Sequence, residues 1–166
     1  MVDKEQWDSS NEKAKMIKPE MFGSPEAIKE MIKPIRTAKN RREATEILKI
    51  IVERGLMTSK SGLPARLPGK SIGKIVSSEA ANASFDQKIH YLAAANLDKL
   101  YSNAIEPWKF DFNPKKNNDG LKNRHYLYAP LDVGDKVILV KFTVKEYFDE
   151  KLVNKLYSIE AINVIL

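Results

Sequence analysis

"HYLYAPLDVGDKVILVKFTVKEYF", residues 125–148, decides the fold. Both halves are rich in β-branched and aromatic residues, so they read as two strands joined by a tight turn. Within Lys136–Phe148, side chains alternate between faces. Ile138, Val140, Phe142 and Val144 form a uniformly apolar set, which belongs to the core. Val137, Leu139, Lys141, Thr143 and Lys145 form a mixed set, which belongs to solvent or a cleft. The turn determines what lies opposite. A three-residue loop, Asp132-Val133-Gly134, would put glycine at the left-handed position of a type I turn plus bulge. Leu131 then pairs with Asp135, and His125 lies opposite Lys141 with Thr143 next along the same face. A loop of two or four residues would carry His125 to the core face instead. The three-residue loop is the reading adopted, and it predicts an open polar patch of His125, Lys141 and Thr143. A plain solvated sheet face is the alternative.

Working outward, "LYSIEAINVIL" (156–166) reads as a third strand. Upstream the period changes to that of helices. In "NRREATEILKIIVERGL", Ala44, Ile47, Leu48, Ile51 and Val52 share one helical face, and Gly55 suits the end of that helix. Another helix is expected from Ser84, with Gln87 completing a capping box, to Pro107. A short helix starts at Ser24-Pro25-Glu26 and ends at Pro34. Residues 56–76 are broken by Gly and Pro, with room for one or two brief strands such as Gly73–Ser77. Residues 1–23 are polar and read as an arm. Helices followed by strands argue an α+β domain with helices on one face of an antiparallel sheet.

The chain has 166 residues, no cysteine and two histidines, which excludes a disulfide scaffold and disfavours zinc sites. No stretch reads as a signal peptide or membrane span, so a soluble protein is expected. The formal net charge of +6 favours a polyanionic partner, although a lysine-rich composition alone could produce it. Lys70-Ser71 ends a stretch like a nucleotide P-loop, but Pro64 stands where its first glycine belongs. The pair could still contact a phosphate backbone, or be an ordinary loop lysine and serine.

His90 lies at the edge of a helical stripe and reads first as structural. With His125 it could supply the two imidazoles of metal-free phosphodiester transfer, one as base and one as acid. Lys141 would then stabilise charge on the phosphoryl oxygens, and Thr143 would position the phosphate. Tyr126 and Tyr128, with Trp108 and Tyr157 nearby, could stack bases or be half-buried sheet residues. The loop 113–124, rich in Asn and Lys, could grip phosphates.

The blocks "GKSIGKIVSS", "HYLAAANLDKLYSNA", "RHYLYAPL", "VILVKFTVKE" and "LYSIEAI" resemble the Barnase–EndoU–Colicin–RelE nuclease superfamily, in its phage polyvalent-protein and secreted-toxin branch. The resemblance covers residues 46–166 and leaves 1–45 as an N-terminal arm. It implies a four-stranded antiparallel sheet and metal-independent RNA cleavage, with no cofactor. It implies His90, His125, Lys141, Thr143 and Tyr157 as the catalytic set. Lys70, Ser71, Lys74, Arg124, Tyr126, Tyr128 and Lys145 would hold the RNA. A 2′-hydroxyl attack would leave a 2′,3′-cyclic phosphate, inside the cytoplasm of a bacterial cell reached as part of a larger phage or secreted protein. A toxic ribonuclease implies an acidic immunity protein or antitoxin as partner. Two rivals stand beside it. One is a non-catalytic nucleic-acid- or protein-binding module of a phage polyvalent or head protein. The other is an NAD-dependent ADP-ribosyltransferase with Glu160 or Glu146 as its catalytic carboxylate.

Overall fold

The computed structural model describes residues 10–109 and 120–166. Seven helices and five strands alternate early and separate late. Residues 10–14 are helical (α1), followed by a 3₁₀ turn at Pro19–Met21 and α2 at Pro25–Met31. Next come α3 (Arg41–Glu53), β1 (Leu56–Thr58) and β2 (Pro64–Arg66). A 3₁₀ turn at Gly69–Ser71 leads into α4 (Ile72–Ile75), then α5 (Ser78–Ala83), α6 (Gln87–Ala95) and α7 (Leu97–Ser102). Three long strands close the chain: β3 (Leu121–Asp132), β4 (Val137–Tyr147) and β5 (Lys155–Ile165).

The helix starts follow local chemistry. Ser24 accepts from the Ala27 amide at 3.2 Å, and Asn40 from the Glu43 amide at 2.9 Å, each filling an orphan donor of the first turn. Gly55 ends α3 with φ at 80°, where a Cβ would be strained. Two local expectations fail. The stretch Gly73–Ser77 is the end of α4 and the turn after it rather than a strand, because Ile72, Ile75 and Val76 bury against α3 at a helical spacing. The helix expected from Ser84 is capped by Asp86, whose carboxylate accepts from the Ile89 amide at 3.0 Å. The Ser84 hydroxyl is used elsewhere, as described below. Asn96 then separates α6 from α7.

The sheet has five strands in the order β1-β2-β5-β4-β3. Four strands were expected; the fifth arises because both brief segments in 56–76 pair. The sheet is not wholly antiparallel, since Arg66 of β2 meets Lys155 of β5 in parallel. β3 is an edge strand, which is why it tolerates Pro130.

The β3–β4 register departs from expectation. Leu131 pairs with Ile138 and Asp132 with Val137, leaving a four-residue loop. Asp132 accepts from the Gly134 amide at 2.8 Å, and the Val133 amide donates to the Lys136 carbonyl at 3.0 Å, closing the wider turn. Burial explains the choice. The observed register places Leu127, Ala129 and Leu131 beside Ile138, Val140 and Phe142. The three-residue loop would have set Arg124, Tyr126 and Tyr128 against them and left polar atoms in an apolar core.

Helices α3, α4, α6 and α7 cover this face, with Leu48, Ile51, Ile75, Leu97, Leu100 and Tyr101 in one continuous core. The opposite face is covered too, against the expectation of helices on one side only. Ala14, Ile17, Phe22 and Met31 of the arm pack on Tyr126, Tyr128 and Leu139. The molecule therefore has three layers: helices, sheet and arm.

Candidate nucleic-acid interface

The structure separates the expected catalytic residues. His90 is wholly buried, and its two nitrogens have structural partners. Nε2–H donates to the Ile75 carbonyl at 2.8 Å, so Nδ1 accepts from the Ser84 hydroxyl at 2.7 Å. That hydroxyl in turn accepts from the Ala161 amide of β5 at 2.9 Å. His90 thus pins α4 and the α5–α6 corner to the exposed edge of β5. Burial lowers its pKa against the pull of the Ile75 carbonyl, which suits a neutral ring.

His125 stands on β3, with all of β4 between it and β5. Two inter-strand spacings, roughly 10 Å, separate the strand of His125 from the strand to which Ser84 ties His90. The four-residue loop also turns His125 to the helix-packed face, opposite Val144 rather than Lys141. There it is clamped between two carboxylates. Nδ1 meets Glu106 Oε2 at 2.6 Å, and Nε2 meets Glu146 Oε1 at 2.8 Å. Both nitrogens must carry protons to satisfy both partners. Burial alone would lower the pKa of His125, but Glu106 and Glu146 outweigh it and raise it; Glu106 is held low in return.

This ion cluster gives a pH-dependent stability. His125 contributes fully below its ordinary value of 6.5, and the contribution is lost as pH rises through its elevated folded value. Glu106 contributes above its ordinary 4.5, and that is lost as pH falls through its depressed one. Thermal unfolding of the wild type should therefore decline from pH 6.5 upward, and His125→Gln should remove that decline. Parallel pH profiles for the two proteins would refute it.

Lys141 and Thr143 do share a face, as expected, but it is closed. Both are completely buried under the arm. Lys141 Nζ donates to Ser10 Oγ at 3.2 Å and Asn11 Oδ1 at 2.5 Å, and Glu160 Oε2 lies 3.9 Å away. Asn11 also donates to Glu160 Oε2 at 3.0 Å, and Tyr128 donates its hydroxyl to the Ser10 carbonyl at 2.7 Å. Burial raises the pKa of Glu160 despite Lys141 and Asn11. Tyr126, Tyr128 and Arg124 are buried on the same face, so the two tyrosines offer no surface for base stacking. Most of the Asn/Lys-rich loop, residues 110–119, lies outside the described residues.

What does gather is the other half of the expected set. Lys70, Ser71, Lys74, Lys145 and Tyr157 line one cavity of about 290 Å³, joined by Tyr147, Lys155 and Leu156. The turn at Gly69–Ser71 and α4 bring the first three, and β4 and β5 bring the rest. Lys145 and Lys155 are direct cross-strand partners. The ammonium groups of Lys74 and Lys145 sit 3.4 and 3.8 Å from the centre of the Tyr157 ring, and Lys74 donates to the Tyr157 hydroxyl. Burial would raise the pKa of Tyr157. The Lys74 hydrogen bond and the charges of Lys74, Lys145 and Arg124 outweigh it, and hold the phenol below its ordinary 10. Four lysines meet here, and no carboxylate lines the cavity among the described residues. Lys155 and Tyr147 escaped the sequence reading. Their signal was spacing: Lys145 and Tyr147 lie two apart on β4, as Lys155 and Tyr157 do on β5.

Residues 36–157 match the family model described as large polyvalent protein-associated domain 3. The chain belongs to that family. The match supports the polyvalent-protein branch of the resemblance drawn from the sequence. Residues 10–31, which cover the sheet of this polyvalent protein-associated domain, lie outside the matched span. No curated protein and no solved structure shows significant similarity to the chain. Among the described residues, no helix is long and apolar enough to cross a membrane.

Proposed function

We propose that this domain is a nucleic-acid-binding module of a phage polyvalent protein, and that the lysine cavity grips a single strand by its phosphates. The observation that carries the reading is the meeting of Lys70, Lys74, Lys145 and Lys155 around Tyr157 in one cavity. Like charges placed opposite each other across a ladder repel. Lys145 and Lys155 are so placed, and a phosphodiester beside them would offset that repulsion. Tyr157 and Tyr147 add aromatic surface on which a base could rest. Fluorescence anisotropy with labelled single-stranded RNA and DNA tests this directly. The logarithm of the affinity should fall linearly with the logarithm of salt. Absent or salt-independent binding would reject the reading.

The depressed Tyr157 phenol favours a second reading, metal-free RNA cleavage centred on Tyr157 instead of on the two histidines. Tyr157, as phenolate, would take the 2′-hydroxyl proton as O2′ bonds to phosphorus, Lys145 would stabilise the phosphoryl oxygens, and the Lys74 ammonium would protonate the 5′-oxygen as the P–O5′ bond breaks. In excess EDTA, cleavage that leaves cyclic-phosphate ends and is lost in Tyr157→Phe supports it. Intact RNA, or cleavage unchanged in the variant, removes it. Only this reading calls for a neutralising partner. ADP-ribosyl transfer gains nothing from the site, since Glu146 is engaged by His125 and Lys122.

A further inference from the structure

A second cleft adjoins the lysine cavity. It runs between α5 and the outer part of β5, encloses about 220 Å³, and shares Lys74 and Tyr157 with its neighbour. Its walls are partly apolar, from Ile75, Ala80 and Ile159, and its polar groups include Ser158, Glu160 and Glu79. An apolar slot with a few fixed polar groups is how proteins hold flat heterocycles. Glu160 is 5% exposed, and its Oε2 takes Asn11, but its Oε1 accepts from none of the described residues. The Ser158 hydroxyl is likewise buried without a partner among them. A buried hydroxyl with no partner is a costly arrangement that a polar group of a ligand would relieve, and Glu160 Oε1 offers an acceptor to a ligand N–H.

We infer that this cleft is a nucleobase subsite, selecting a base with an exocyclic amine. The inference rests on the nucleic-acid reading of the lysine cavity. Charge orients the nucleotide: the carboxylates of Glu160 and Glu79 repel phosphate, and the four lysines beside them attract it. The phosphate goes to the lysines and the base to the slot. Adenine, cytosine and guanine each present an amine donor. Uracil presents two carbonyls around a single N–H, and its carbonyl oxygens would face carboxylate oxygens.

The test uses the full chain and four labelled RNA heptamers: seven uridines, and the same with a central adenosine, cytidine or guanosine. Each amine-bearing heptamer is expected to bind about fivefold tighter than all-uridine, the effect of one hydrogen bond. Ala80→Trp, which fills the slot, should abolish the difference and leave all-uridine binding unchanged. If that variant unfolds, the Lys141→Met, Glu160→Gln double variant, which removes the buried pair together, carries the test, with the same loss of discrimination expected. Equal affinity for all four heptamers, or discrimination that survives the folded variant, overturns the subsite. Salt-dependent binding without base preference removes the subsite alone. No binding by any heptamer removes the nucleic-acid reading with it.

Discussion

Lys141→Ala is expected to destabilise the chain by about 3–5 kcal/mol, the usual loss when one member of a buried ion pair is removed. Lys141 has no exposed surface, and its ammonium is held by Ser10, Asn11 and the Glu160 carboxylate. Truncation leaves Glu160 buried without its cation and strips both arm contacts of their donor. Burial already raises the pKa of Glu160, so protonation will recover part of the loss. A Lys141→Met, Glu160→Gln double variant removes both charges and should lie within about 2 kcal/mol of wild type. Urea unfolding at pH 7 separates these outcomes. A loss below about 1 kcal/mol for Lys141→Ala would mean that the pair is solvated and the arm loosely seated. The result also bears on function. Activity lost in Lys141→Ala would not by itself make the lysine catalytic, because the same change loosens the layer that covers it.

The Lys74→Glu, Lys145→Glu double variant should bind single-stranded RNA at least about 100-fold more weakly at low salt. The salt slope should fall by about 1.4, since each phosphate contact to a single strand contributes about 0.7. Folding should survive. Lys74 is exposed, and a glutamate at 145 would face Lys155 across the ladder, replacing a repulsion by an attraction. Anisotropy across a salt series, with thermal unfolding on the same samples, checks both parts. Weakened binding with an unchanged slope would place the phosphate contacts elsewhere. Unchanged affinity would remove the lysine cavity from the interface.

Much of the fold was legible because it depends on local chemistry. The caps at Ser24 and Asn40 satisfy amides three residues on, and the α3 stripe repeats every three to four residues. The alternation in Lys136–Phe148 separates Ile138, Val140, Phe142 and Val144 from Lys141, Thr143 and Lys145, and the core divides along the same line. The turn was misread because glycine placement was weighed above burial. The observed register lies three residues from the expected one, with His125 opposite Val144 instead of Lys141, and any odd shift turns every β3 side chain over. That shift sends His125 to Glu106 and Glu146, and leaves Tyr126 and Tyr128 to the arm.

Of the candidate site, the lysine half was readable: Lys70, Lys74 and Lys145 were singled out as phosphate contacts, and they line one cavity with Tyr157. The histidine half was not. His90 is tied to Ser84 and Ile75, and no spacing in the chain announces contacts made by a hydroxyl six residues before it and a carbonyl 15 residues before it. Arm residues 10–23 were equally silent, since their apolar side chains follow no clean period.

Sequence by itself determined the three long strands, α2, α3, the apolar face of β4 and the excess of positive charge, because each follows from neighbouring residues or from composition. Tertiary structure alone decided which polar residues meet and which face stays open. Both depend on strand register and on how segments far apart in the chain pack. The arm closes the Lys141 face through Ser10 and Asn11, more than 100 residues away, and β4 and β5 bring Lys145 and Lys155 together beside Lys74. Burial energy selects such arrangements over the whole molecule, and no local pattern encodes them.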